Sequence, residues 1–515
     1  MVAYQALLTR RYLGTKVMPL LAAVAVALCT AMVIVVWSVM GGFLRSLLAQ
    51  GPGIIGDVSI TYPVSGRLRG IAHYEELIDR LESDPMVAGA APAVETLGLI
   101  TLPHGETKAV QVIGVEPASY HGVTGFEERL YWRRLDEPLK KDVERRDRRL
   151  ELPAGFERDG AALSEADPRT GDRVAAAVPG ISVVGTNRRV AEGYFVPRLG
   201  MFFPHGEITV TVLPMTANGK PIEPVERVFP VANEFFTGMY EADANWVFVP
   251  LETLQRMLKI DRAQRLDPDY RPGQLERDPE TGEFMVSTPR VIGVEPARVS
   301  NVLVRAAAGV EARELRDRCM EIYRAFASEF PAAPSAQIME DFELIYTWEQ
   351  RPGLRQFVAA VKKETALVLV LFALISMTAV FLVFSIFWSM ISEKTKDIGI
   401  LRAVGASRAG VAWLFLRYGL VLGVVGASAG MALGAAVVLN INPIHDGIIA
   451  VGRSLDQNWA IWDPAVYYFF EIPSDLDPVH AGIVFGVGVL AAVLGALVPA
   501  VRAASMDPVR ALRFE

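Results

Sequence analysis

The chain is poor in the residues that build metal and disulfide chemistry. Its 515 residues include two cysteines, Cys29 and Cys319, and six histidines. Two cysteines cannot form a disulfide framework or a Cys-rich metal site. The histidines, at 73, 104, 121, 205, 445 and 480, show no metal-ligand spacing; His104 and His205 each sit in a Pro-His-Gly turn. No H-E-x-x-H and no G-x-S-x-G elbow occurs. The Gly219-Lys220 pair is followed by Pro221 and has Pro214 where a phosphate-binding loop needs its first glycine. A basic excess is missing too: the net charge of -7 argues against a general nucleic-acid binder. With 51% hydrophobic residues the chain is not a disordered one. No constellation for catalysis emerges, and the chain is not expected to be an enzyme itself.

What is abundant is apolar sequence in long runs. Mean hydropathy is +0.29 although 21% of residues are charged, so the two kinds of residue are segregated. Crossing a bilayer takes about 20 apolar residues at 1.5 Å rise each. Four runs qualify: 17–40 and 366–391, both uncharged, 411–439, with Arg417 near its start, and 481–501. The first exceeds the roughly 7–15 apolar residues of a signal peptide and lacks a small-x-small cleavage site after it, so it reads as a retained anchor.

Lys and Arg near the ends of the runs set orientation. Residues 1–16 carry Arg10, Arg11 and Lys16 without an acid; the 392–410 connection carries Lys394, Lys396, Arg402 and Arg408; the tail 502–515 carries Arg502, Arg510 and Arg513. These three segments are expected in the cytoplasm. The 440–478 connection holds a single base, Arg453, and is expected outside together with 41–361. The net charge is -10 over 41–361 and +3 over the remainder.

Residues 41–361 mix strand and helix signals, so the expected fold class is an integral membrane protein with four transmembrane helices and a large α+β extracytoplasmic domain between helices 1 and 2. Strands are expected at Ala109–Val115, Glu207–Val212, Trp246–Val249 and Asn301–Val304, helices at Tyr74–Glu82, Leu251–Leu258 and Val310–Phe326, in two subdomains. Charge-rich stretches at 127–172 and 261–283 read as solvated insertions or as docking surfaces for a partner. The heptapeptide VIGVEPA occurs at 112–118 and again at 291–297, which would fit a duplicated strand-turn unit. In the third run, Gly419, Gly423, Gly426, Ser428, Gly430 and Gly434 would permit close helix contact.

The connection SEKTKDIGILRAVGAS, residues 392–407, reads as a short amphipathic helix with Ile398, Leu401 and Val404 on its apolar side and Gly405 ending it. E-K-x-x-D-I-G-I-L-R-A-x-G-A-S resembles the signature of FtsX/MacB-type ABC transporter permeases, and Pro508–Glu515 resembles that family's P-x-x-A-L-R-x-E ending. Arg11-Tyr12-Leu13, WSVMGGF at 37–43, FTGMYEADANWVFVPL at 236–251, Thr347-Trp348-Glu349 and DPAVYYFFEIP at 463–473 look most like the lipoprotein-releasing permeases of the LolC/LolE type. The charged insertions depart from that pattern.

The resemblance implies a MacB-like periplasmic core and a bacterial inner-membrane location. It also implies a coupling helix formed by Glu393, Lys394, Asp397, Ile398, Gly399, Leu401, Arg402 and Gly405. That helix would dock into an ATP-binding subunit, present in two copies, which holds the ATP and Mg; no cofactor is expected on this chain. A second permease, identical or different, would complete the assembly. The cargo would be a lipoprotein entering between the first and second spans near Trp37, Met40, Phe43, Phe381 and Phe384, with a periplasmic carrier as acceptor. A MacB-like efflux permease and an FtsX-like signalling scaffold are the alternatives.

Overall fold

The computed structural model describes residues 17–509 apart from 51, 66–67, 104, 133–159, 168–169, 190–194, 198–205, 216–219, 267–274, 278–283, 287–290, 353 and 456–471. The N-terminal segment 1–16, the last residues of the tail and most of both charged insertions therefore lie outside the described residues. The chain divides into a unit of residues 47–356 with 464–468, and a unit of residues 1–46, 357–463 and 469–515.

In the first of these units β-branched and apolar alternation builds a nine-stranded sheet. Its strands in chain order are β1 Val58–Thr61, β2 Val87–Thr101, β3 Thr107–Val115, β4 Val178–Pro179, β5 Glu207–Val212, β6 Val225–Pro230, β7 Trp246–Pro250, β8 Asn301–Ala306 and β9 Ile345–Thr347. The main order is β9-β1-β8-β2-β3-β7-β4. The 15-residue β2 pairs with β3 over 93–101. On its other edge it meets β8 through residues 87–93 and then β5 through 98–101. This one strand thus serves both halves of the sheet.

Helices cover the sheet where their apolar stripes demand it. After α1 (Val17–Gln50) and α2 (Pro52–Ile55) come α3 (Tyr74–Glu82), α4 (Pro117–Thr124), α5 (Leu251–Leu258) and α6 (Ala312–Glu329). Leu77 and Leu81 of α3, Leu254 and Leu258 of α5, and Leu315, Tyr323 and Phe326 of α6 are buried in one core with Val58, Val94, Val112 and Val302. Tyr120 and Val123 of α4 belong to a second layer on Ala91, Ile113 and Phe248.

The repeated heptapeptide takes two unlike roles. In β3, Val112, Ile113 and Val115 are buried, and a Cβ on Gly114 would lie 2.9 Å from the Leu254 Cβ, so the glycine admits α5. The second copy forms strand Val291–Glu295, paired among the described residues with Ala263–Leu266, and its Val291, Ile292 and Val294 are exposed. Gly293 faces open space. Shared sequence has not produced a shared environment among the described residues.

A buried carboxyl anchors an aromatic cluster of this unit. Glu234 accepts hydrogen bonds from Trp132 Nε1 at 2.7 Å and Asn187 Nδ2 at 2.9 Å, beside the aromatic cluster of Trp132, Phe195, Tyr131 and Phe236. Burial pushes its pKa from 4.5 up to about 7, against the opposing pull of the Trp132 and Asn187 donors. Between those values the folded chain keeps a proton that the unfolded chain releases, so folding stability falls as pH rises from about 4.5 to 7. The expected loss is at most about 3 kcal/mol. Thermal unfolding of the full chain followed by circular dichroism from pH 5 to 8 should show that decline, and Glu234→Gln should flatten it. An equal slope in both proteins would refute the assignment.

The other unit contains helices α7 (Leu354–Glu393), α8 (Thr395–Ala403), α9 (Arg408–Leu439), α10 (Ile441–Ser454) and α11 (Pro478–Ser505), with α1. Among the described residues four of these helices, α1, α7, α9 and α11, are long and apolar enough to cross a membrane. The connection after the third run, expected as loop, begins with α10, whose Ile441, Ile444, Ile448 and Val451 recur at helical spacing.

Glycines determine which spans touch. Cβ atoms on Gly419 and Gly423 would lie 2.7 Å from Ala496 Cβ and 2.9 Å from Ala492 Cβ of α11. Gly426, Gly430 and Gly434 face Ala23, Ala27 and Ala31 of α1. A Cβ on Gly495 of α11 would lie 2.7 Å from the Val380 carbonyl of α7. Ser428 is exposed and takes no part: it sits two residues from both Gly426 and Gly430, about 200° around the helix from each.

Candidate functional site

Two features of the membrane unit could carry work. The first is a cavity of about 370 Å³ between α1, α7 and α11, within the roughly 300–1,000 Å³ range of ligand pockets. α1 contributes Val26, Cys29, Thr30, Val33 and Trp37, a stripe at i, i+3, i+4, i+7 and i+11. α7 contributes Leu369, Phe372, Ala373, Ser376 and Ala379 in the same manner. Ile483, Val484, Val487, Gly488 and Ala491 of α11 form its third wall. The lining is apolar apart from the short groups of Cys29, Thr30 and Ser376 and the Trp37 indole N–H.

The rim of the cavity is pinned by polar contacts. Trp37 lies against His480, ring centroids 4.9 Å apart. Arg45 pairs with Asp475 at 2.6 Å, and the Asp475 N–H donates to the Ser38 carbonyl at 2.9 Å. Gly42 lets that segment approach, since a Cβ there would lie 2.7 Å from the Ser474 backbone. Asp477 caps α11 by accepting from the Val479 N–H, which holds its carboxyl below the usual range with help from His480 and Arg45.

Of the five lipid-contact residues expected from sequence, Trp37 alone is in the cavity wall. Met40 and Phe43 are half-buried further along α1. Phe381 is 62% exposed; nine residues beyond Phe372, it points about 180° away from the cavity stripe. Phe384 lies tilted against Trp388, centroids 5.5 Å apart. Phe372, Leu369 and the α11 residues also line the cavity and were not among the residues expected from sequence. The available signal was the glycine pattern, which draws α9 against α1 and α11 and leaves space between α1 and α7.

The second feature is α8. It is shorter than the 392–407 segment expected, because α7 continues without a break through Glu393. Lys394 Nζ bonds Asp397 Oδ2 at 2.8 Å. Ile398 is buried with Ile391, Val411 and Ala503, and Gly399 is buried beside it. Arg402 donates from Nη1 to the Ala406 carbonyl at 3.4 Å, while its Nε is buried without a hydrogen-bond partner. Gly405 has φ +104°, a conformation that glycine tolerates and other residues do not. Ser407 then caps α9 by accepting from the Gly410 N–H at 3.0 Å.

The apolar side expected of this helix is split. Ile398 points inward, Leu401 is half-buried, and Val404 is 85% exposed. Val404 instead shares a face with Ile400, four residues earlier and 52% exposed. Close by, Arg502 of α11 lies over the Trp388 ring of α7 at 3.7 Å, a cation–π contact that ties two spans near α8.

Four helices long and apolar enough to cross a membrane, with an α+β unit inserted between the first two, define a polytopic membrane protein. Residues 369–508 match the FtsX-like permease C-terminal family, and the chain thus carries an FtsX-like permease domain. The lipoprotein-releasing system transmembrane protein LolC of Haemophilus influenzae is 29% identical over 171 residues, 33% of this chain and 39% of that protein. The macrolide export ATP-binding/permease protein MacB of Escherichia coli is 30% identical over 178 residues, 34% of this chain and 23% of that protein. The periplasmic region of MacB from Actinobacillus actinomycetemcomitans aligns with 58% of this chain and 96% of its own at 10% identity, with a TM-score of 0.26. The chain thus spans well under two thirds of the curated relatives it matches.

Proposed function

We propose that the chain is the permease subunit of an ABC transporter in a bacterial inner membrane, with both termini and α8 cytoplasmic and the sheet-bearing unit periplasmic. A separate ATP-binding subunit, in two copies, would hold ATP and Mg and dock on α8 through Ile400 and Val404. A second permease would complete the assembly. The cargo would be a lipoprotein whose acyl chains enter between α1 and α7, released to a periplasmic carrier. The observation carrying this reading is the apolar cavity between α1, α7 and α11, in a chain similar to LolC. The energetics agree: each buried CH₂ anchors by about 0.8 kcal/mol, so acylated cargo needs work to leave a bilayer.

The test is ATP-dependent release of a radiolabelled triacylated lipoprotein from proteoliposomes holding the chain and its co-purified ATPase. Ala373→Trp, which fills the cavity from the α7 side, should cut release by roughly tenfold or more, the effect of losing a few kcal/mol of acyl burial, with ATPase activity retained. ATP hydrolysis without release would favour an efflux permease, the reading that similarity to MacB supports, or a signalling scaffold. Absence of any associated ATPase would end all three.

A further inference from the structure

Helix α10 begins one residue after α9 ends. Asn440 stands alone between Leu439 and Ile441. Its Nδ2 donates to the Ala436 carbonyl at 2.8 Å, and its own carbonyl accepts from the Ile444 N–H at 2.9 Å. The chain therefore passes from a helix apolar enough to cross a membrane into α10 at the height where the apolar run stops.

That height is marked independently. Asn442 Oδ1 accepts from the Ile472 N–H at 2.9 Å. Two residues further on, the same segment lies on Gly42 and Ser38 of α1, at the rim where Trp37 meets His480 and Arg45 pairs with Asp475. A tryptophan among polar and charged groups at the ends of apolar helices is the chemistry of a membrane–water boundary.

The helix has three faces. His445 and Gly452 are buried within the unit. Asp446 and Ser454 are polar and exposed. Ile444, Ile448, Val451 and Leu455 recur at i, i+4, i+7 and i+11, one aliphatic stripe. Ile448 is half-buried, whereas Ile444, Val451 and Leu455 are 43%, 53% and 57% exposed. Scattered apolar side chains need no explanation on a surface, but a contiguous row calls for a cover. Leu439, 73% exposed at the end of α9, leads directly into it, so the stripe continues the lipid-facing surface of a span.

We propose that α10 is an interfacial helix whose stripe is sunk between headgroups and acyl chains in the leaflet at which α9 ends. Through Asn442 and Ile472 it holds the mouth of the cavity at that level. Such helices lie about 5–10 Å into the boundary. Insertion here is apolar and not electrostatic, since Ile441–Ser454 carries one base, Arg453, against one acid, Asp446. The inference rests on α9 being a span and is independent of ATP coupling and cargo.

The experiment uses the full chain in liposomes of phosphatidylcholine. The photoreactive residue p-benzoylphenylalanine is placed in turn at Ile444, Val451, Asp446 and, as a reference within α9, at Leu433, all of them exposed positions where substitution leaves folding intact. After illumination, mass spectrometry should find phospholipid adducts at Leu433, Ile444 and Val451. Adducts should be lost at Asp446, which lies about 200° around the helix from Ile444. Adding phosphatidylglycerol should leave every yield unchanged. Cross-links from Ile444 and Val451 to a second copy or to another part of the chain, in place of lipid, overturn the proposal. So do adducts at Leu433 alone, adducts as abundant at Asp446 as at Val451, or adducts that require phosphatidylglycerol. Adducts at none of the four positions overturn the reading of α9 as a span, and the proposal with it.

Discussion

Gly430→Leu is expected to abolish the folded membrane unit. Gly430 lies at the centre of the α9 face that meets α1; a Cβ there would run into the Ala27 carbonyl and lie 2.8 Å from the Thr30 Cβ. Neither neighbour is the flexible end of a long side chain, so the helices themselves would have to part. Ordinary overpacking costs about 1–3 kcal/mol. A backbone clash at the middle of a helix pair exceeds that, and separating α1 from α9 also exposes the cluster around Val26 and Leu422. The measurement is yield and thermal unfolding of detergent-solubilised protein. Ser428→Leu, on the exposed side of the same helix, is the control and should leave both unchanged. Equal behaviour of the two variants would sink the packing assignment.

The same glycines show where sequence reading succeeds and where it stops. Uncharged runs of this length have few alternatives to spanning helices, so all four spans were legible, as were α3 and α5 to the residue from their 3.6-residue stripes. Small residues in α9 announced close contact, but not with whom: Gly419 and Gly423 chose α11, whereas Gly426, Gly430 and Gly434 chose α1. That choice is tertiary, and the cavity follows from it, which is why aromatic residues picked by depth alone gave Trp37 and missed Phe372. The Glu95–Arg351 pair was invisible for a related reason. Glu95 and Arg351 are separated by 256 residues, and an acid or a base in isolation reads as a solvated charge. The VIGVEPA repeat failed in the opposite sense, because seven shared residues do not specify whether a strand is placed in a sheet centre or on an edge hairpin.

The second large effect is expected at α8. Ile400 and Val404 are 52% and 85% exposed in a helix that also carries Lys396, Asp397 and Arg402 and is tied to the spans through Ile398. Two neighbouring aliphatic side chains left in water on a short helix are costly unless a partner covers them. Covering one fully is worth about 1.5–3 kcal/mol. Ile400→Asp with Val404→Asp should therefore weaken capture of the ATP-binding subunit by more than about 100-fold, and ATPase activity should no longer co-purify with the chain. Asp397→Lys makes a sharper comparison than it first suggests. It removes an exposed i,i+3 pair with Lys394, so the helicity of the variant is checked by circular dichroism, and a large loss of ATPase coupling with the helix content unchanged points to the partner. Because α8 turns directly into α9 through Gly405 and is packed on Ala503 of α11, a subunit gripping Ile400 and Val404 would pull on two spans at once. Full ATPase capture by the double aspartate variant, with the sheet-bearing unit unchanged by circular dichroism, would place the docking surface elsewhere on the chain.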